Sequence, residues 1–119
     1  MGMGGQAVET DNRRRFAAFI SYAHADAAIA AKLQSRLERY RLPKHLAESF
    51  AGGQTALGQI FRDREDLAAA PSLSDAIHAA IAEAEALIVI CSPDAAASRW
   101  VGEEIVLFRR LHPGKPVLA

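Results

Sequence analysis

One cysteine among 119 residues cannot close an internal disulfide. Cys91 ends an apolar run, where a buried and inert thiol is the ordinary outcome, and a reducing compartment is expected. The longest purely apolar run, Ala86 to Cys91, is far short of the roughly 20 residues needed to span a bilayer, so no transmembrane segment is expected. Neither sign of charge is in excess: 14 Lys and Arg stand against 14 Asp and Glu, which argues against nucleic-acid and membrane-surface partners. Met1 to Asn12 lack the apolar stretch of a secretory signal, and Gln6 stands where a myristoylation signal has Ser or Thr. A cytoplasmic location follows, with residues 1–15 read as a disordered leader and 16–119 as one domain. No repeat or low-complexity tract is present.

What is there alternates. Phe16-Ala-Ala-Phe-Ile-Ser-Tyr22 has the aromatic and branched character of a strand buried on both faces. Asp26 is a good N-cap for a helix whose apolar stripe is Ile29, Leu33, Leu37 and Tyr40, stopped by Pro43. From Pro43 to Gly58 the signal fades into a long connection with room for one short helix. Gln59 to Asp63 reads as a second strand, followed by a charged run from Arg62 to Asp66. Ser72 with Asp75 forms a capping-box pattern ahead of the stripe Leu73, Ile77, Ile81 and Ala84. Ala86 to Cys91 is the clearest buried strand, Arg99 to Leu111 a third helix ended by His112-Pro-Gly114, and Pro116 to Ala119 begins another strand. This order predicts an α/β fold with a parallel sheet and helices on both faces. Ligands in such folds sit beyond the carboxyl ends of the strands, near the point where strand order reverses. Three loops gather there: Ser21 to Asp26, Asp63 to Ser72, and Ser92 to Ser98.

Glu104 is the anomaly. At about 100° per residue from Trp100, Glu104 falls near 40°, between Leu111 at about 20° and Phe108 at about 80°, with Val101 and Ile105 beyond. Glu103 falls near 300°, on the polar side close to Arg110. A carboxylate is almost never buried without a partner, because desolvating it costs several kcal/mol. Either Arg62 or Arg64 pairs with Glu104, or it lies at an exposed end of the stripe, or it is held in a cleft for chemistry.

Four blocks, Phe19-Ile-Ser-Tyr22 with Asp26, Phe61-Arg-Asp-Arg-Glu-Asp-Leu67, Leu87-Ile-Val-Ile-Cys-Ser-Pro93 and Ser98-Arg-Trp-Val-Gly-Glu-Glu-Ile105, resemble a bacterial Toll/interleukin-1 receptor (TIR) domain, in the right order from about Phe16 to Ala119. The resemblance implies a flavodoxin-like three-layer fold with a central parallel sheet, lacking its last strand and helix. Many such domains cleave NAD+ into nicotinamide and ADP-ribose or a cyclised product, using the glutamate of the Trp-x-x-x-Glu block, which here is Glu104. Ordinary glycoside hydrolysis needs two carboxyl groups, one of them to protonate the leaving oxygen. Nicotinamide departs neutral without a proton, so one anion opposite the developing oxocarbenium ion is enough. No metal or cofactor is implied, NAD+ being the substrate. His24, His45, His78 and His112 fall in different elements without ligand spacing and read as surface or capping residues.

By the same resemblance Ser21 and Tyr22 lie at the nicotinamide side of the substrate. Trp100 either walls the ribose cleft or belongs to the core. Asp26 either contacts ligand or serves only as an N-cap. Asp63, Arg64 and Leu67 lie in the loop that gates the site or docks on a neighbour in relatives, although a solvated charge run needs no function. Val101 replaces a frequent Cys without consequence, and Ala70 replaces a frequent loop Gly, which restricts that loop. The leading expectation is an NAD+ glycohydrolase module switched on by self-association through TIR–TIR contacts, inside a longer bacterial defence or signalling protein. The alternative is a non-catalytic scaffold for homotypic contacts. A phospho-receiver shares the topology but needs acidic residues where Ser21-Tyr22 and Ser92-Pro93 stand.

Overall fold

The computed structural model describes residues 16–50, 54–62 and 74–119. The run after Phe16 forms β1 (Ala18–Ser21), buried at all four positions. With β2 (Ile60–Arg62), β3 (Leu87–Val89) and β4 (Val117–Leu118) it makes a sheet of order β2-β1-β3-β4, every pairing parallel. This is the flavodoxin-like order as far as its fourth strand, and it reverses between β1 and β3. Among the described residues five α-helices accompany the strands: α1 (Ala27–Arg39), α2 (Lys44–Phe50), α3 (Asp75–Glu83), α4 (Pro93–Ala97) and α5 (Arg99–Leu111).

Successive residues of a strand face opposite sides, and β1 sorts two cores accordingly. Ala18 and Ile20 join Ala30 and Ile60, with Tyr22, Leu33 and Leu37 packed against them, on the α1 face. Phe19 joins Ile77, Ile81, Leu87 and Phe108 on the face of α3 and α5. Phe61 stacks on Phe19 at 5.1 Å and meets Phe16 edge-on at 5.2 Å, anchoring β2 to the second core. The result is the expected three-layer arrangement. Gly58, with φ 110°, turns the chain into β2 through a backbone region closed to most side chains.

α1 also closes the free edge of β2. Ile60 N–H donates to Glu38 Oε2 at 3.0 Å, and Ile60 O accepts from Gln34 Nε2 at 2.8 Å. Gln34 Oε1 in turn accepts from Arg62 Nε at 2.9 Å. Side chains one turn apart on a helix thus satisfy edge-strand groups that would otherwise offer a template for further pairing.

Several expectations need correction. Ile29 (58% exposed) and Tyr40 (49%) lie at the ends of the α1 stripe and point to solvent, so Ala30, Leu33 and Leu37 carry the contact. Leu111 is likewise exposed, while Phe108 in the same last turn of α5 is the residue that reaches the core. Cys91 is exposed: the strand ends at Val89, two residues before the thiol. Ser74, and not Ser72, caps α3, accepting from Ile77 N at 3.2 Å; Ser72 itself lies outside the described residues. The stretch read as a loop from Ser92 to Ser98 contains α4, with Ser92 as N-cap and Pro93 at its first turn. The short helix sought between Pro43 and Gly58 is α2.

Candidate active site

Because side chains two apart on a strand share a face, Ser21 lies on the same side as Phe19, toward α5. Two strand residues span about 6.6 Å and four helix residues about 6 Å. β1 therefore meets α5 in matched steps: Phe19 shares a core with Phe108, and Ser21 meets Glu104 four residues earlier. Ser21 Oγ donates to Glu104 Oε1 at 2.6 Å, a length typical of a hydroxyl bound to a carboxylate. Ser21 is fully buried and Glu104 is 3% exposed. The geometry puts a buried carboxylate at the carboxyl end of β1, on the edge where ligands bind in folds of this type.

The adjacent glutamates differ as the helical spacing predicts. Glu103 accepts from Arg99 Nε at 2.8 Å in an exposed i,i+4 pair. Such pairs contribute little to stability. A groove of about 480 Å³ runs along that side, lined by His78, Arg99, Gly102, Glu103, Val106, Leu107 and Arg110. Glu104, about 100° round α5 from Glu103, does not line it.

Two ionic partners were considered for Glu104. Arg62 is bound to Gln34, and Arg64 lies outside the described residues. Asp63 and Leu67 also lie outside them. Tyr22 is half-buried against the α1-side core. Trp100 is half-buried against the Phe19–Phe108 core, with the Arg99 guanidinium 4.9 Å from its ring centre. His112 packs on Phe108 at 5.0 Å and pairs a ring nitrogen with Ile81 O at 3.0 Å, tying the end of α5 to α3. His24, His45 and His78 are exposed. Among the described residues no cluster of His, Cys, Asp and Glu could hold a metal ion.

Asp26 departs from the capping role considered for it. It occupies the N-cap position of α1, yet its side chain caps nothing. Its Oδ2 accepts instead from Ser92 Oγ at 2.5 Å, while Ser92 Oγ accepts from Ala95 N at 3.0 Å. A capping side chain stabilises a helix by about 1 kcal/mol, so this carboxylate forgoes an ordinary use. Nothing local in the sequence joins the pair, whose members lie 66 residues apart in the chain. The available signal was Ser92-Pro93, the cap and first-turn proline of a helix.

Together these features define a flavodoxin-like α/β domain with a buried glutamate at the carboxyl edge of its sheet. The family model for the TIR domain matches residues 18–118, and the chain belongs to that family. It is also similar to a protein of Actinoplanes sp. named NAD(+) hydrolase ApTIR, 37% identical over 92 residues. That match covers 76% of this chain and 12% of the relative's length. No helix among the described residues is long and apolar enough to cross a membrane.

Proposed function

We propose that this chain is an NAD+ glycohydrolase module in which Glu104 is the catalytic residue. The supporting observation is the burial of one carboxylate at the ligand-binding edge of the sheet, held by Ser21. The name of the Actinoplanes relative supports NAD+ as the substrate.

In the reaction the ribose C1′–N bond breaks and its electron pair passes to the pyridinium nitrogen, releasing neutral nicotinamide. The remaining ribose carries oxocarbenium charge. Glu104, fixed before the reaction, stabilises that charge where surrounding apolar side chains keep the local dielectric low. Water or a hydroxyl of the substrate then forms the new bond to C1′ and loses its proton. Trp100, one turn before Glu104, bounds the ribose side, Tyr22 lies at the nicotinamide side, and the segment containing Asp63, Arg64 and Leu67 gates the site.

At 3% exposure Glu104 is reached by substrate only after its covering side chains move. This supports a module that is inactive as a separate chain and becomes active on self-association within a longer bacterial defence or signalling protein. The test is to incubate the chain with NAD+, dispersed and then clustered on a multivalent support, and follow nicotinamide. Release that rises at least tenfold on clustering supports the proposal. Absence of release in both states favours a non-catalytic TIR scaffold.

A further inference from the structure

The loops after β1 and β3 diverge from the point where strand order reverses, and one hydrogen bond spans them: Ser92 Oγ to Asp26 Oδ2, 2.5 Å. Directly beneath, Ala23 and Ala95 are buried together with Val101, and Val89 and Ile105 pack against them. The loop is itself folded back, Asp26 N–H donating to Ala23 O at 2.8 Å. The two loops are thus joined twice, by a polar bond and by an apolar cluster.

The connection continues into α5. Ser92 caps α4 through Ala95 N, and Ser98, which ends α4, caps α5 by accepting from Val101 N at 3.2 Å. Val101 and Ile105 flank Glu104 on that helix. A displacement of α4 therefore moves the first two turns of α5, and with them the carboxylate bound to Ser21. Buried side chains transmit such shifts because interiors are close-packed.

We infer that Asp26 and Ser92 are a positioning pair that sets the placement of Glu104 against Ser21. The inference rests on the NAD+-cleaving reading above. Neither residue needs to touch the reacting atoms. The bond fixes α4 over the reversal point, and α4 fixes the turn of α5 that carries the carboxylate. Asp26 is suited to this because its carboxylate is not engaged in capping α1.

The test compares Asp26→Ala, Asp26→Ser and Asp26→Asn in the clustered chain. Serine is itself a preferred N-cap, so Asp26→Ser keeps the start of α1 while being too short to reach Ser92. Asparagine retains an oxygen that accepts from Ser92. The Ala and Ser variants are expected to lower kcat by about tenfold to a hundredfold, with KM within about twofold, the size of effect a small misplacement of a reacting group produces. Asp26→Asn and Ser92→Thr are expected to restore most of the rate. The double variant Asp26→Ala/Ser92→Ala should be no slower than Ser92→Ala. A raised KM with unchanged kcat would mean that Asp26 binds substrate directly, and it would overturn the inference, as would unchanged kinetics.

A second readout does not depend on turnover. The Glu104 carboxyl carbon, assigned in NMR spectra by its loss in Glu104→Gln, is expected to shift position and titration midpoint in Asp26→Ser and to return toward wild type in Asp26→Asn. If no nicotinamide is released by the wild-type chain, the NAD+-cleaving reading fails. The carboxyl signal still tests the pair, and an unchanged signal in Asp26→Ser overturns it.

Discussion

Ser21 and Glu104, 83 positions apart in the chain, meet through a hydroxyl–carboxylate hydrogen bond of 2.6 Å inside the protein. The contact exists because a strand repeat of two and a helical repeat of four have nearly the same length, so β1 and α5 align at Phe19 with Phe108 and again at Ser21 with Glu104. The apolar step supplies adhesion, and the polar step holds the charge.

Removing the hydroxyl isolates that function. Ser21→Ala leaves a buried carboxylate without one of its donors, a change that costs about 1–3 kcal/mol. A lower urea midpoint with an unchanged m-value is expected, together with a fall in kcat of about tenfold or more as Glu104 loses its orientation. Ser21→Thr keeps the donor and should retain more activity than Ser21→Ala. Equal activity in Ser21→Ala and wild type would contradict the positioning of Glu104 by Ser21.

The edge of β2 can be tested by hydrogen exchange. Glu38→Ala removes the acceptor of Ile60 N–H, and Gln34→Ala removes the donor to Ile60 O together with the acceptor of Arg62. Faster exchange at the Ile60 amide is expected in Glu38→Ala. Each variant is expected to lose about 1 kcal/mol by denaturant unfolding. An Ile60 amide that exchanges at the wild-type rate in Glu38→Ala would show that the contact does not protect the edge.

Cys91 is exposed, its Sγ only 3.8 Å from Val89 O. A thiol reagent is expected to titrate one equivalent in the native chain without denaturant. Protection until the chain unfolds would restore the expectation drawn from the apolar run.

The start of α3 gives a further check. Ser74→Ala is expected to destabilise by about 1 kcal/mol through loss of the bond from Ile77 N, measured by thermal unfolding. Ser72→Ala should have less effect. The reverse order would place the cap at Ser72.

Features carried by short-range periodicity were legible in the sequence. The separation of Glu104 from Glu103 follows from 100° of helix rotation, and the bounds of α5 match those expected from Ser98 and His112. The parallel α/β class followed from the alternation of elements, and buried Val101 behaved as expected. Features set by tertiary placement were not legible. The exposure of Cys91, Ile29 and Tyr40 depends on where the sheet ends beneath them, which periodicity does not encode. Asp26 resembled a helix cap because its local spacing fits one, and only the approach of Ser92 from a distant loop redirects its carboxylate. Serine offered a similar ambiguity before α3, where two candidate caps stand two residues apart and the fold uses the second.

The most direct measurement of the central claim is nicotinamide release from NAD+ by clustered wild-type chain and by Glu104→Gln. Glutamine preserves the shape and an acceptor for Ser21 but removes the negative charge. A fall in kcat of at least about a hundredfold is expected, the scale seen when a preorganised electrostatic group is removed. The circular dichroism spectrum should match wild type. Release by Glu104→Gln within threefold of the wild-type rate would contradict the claim.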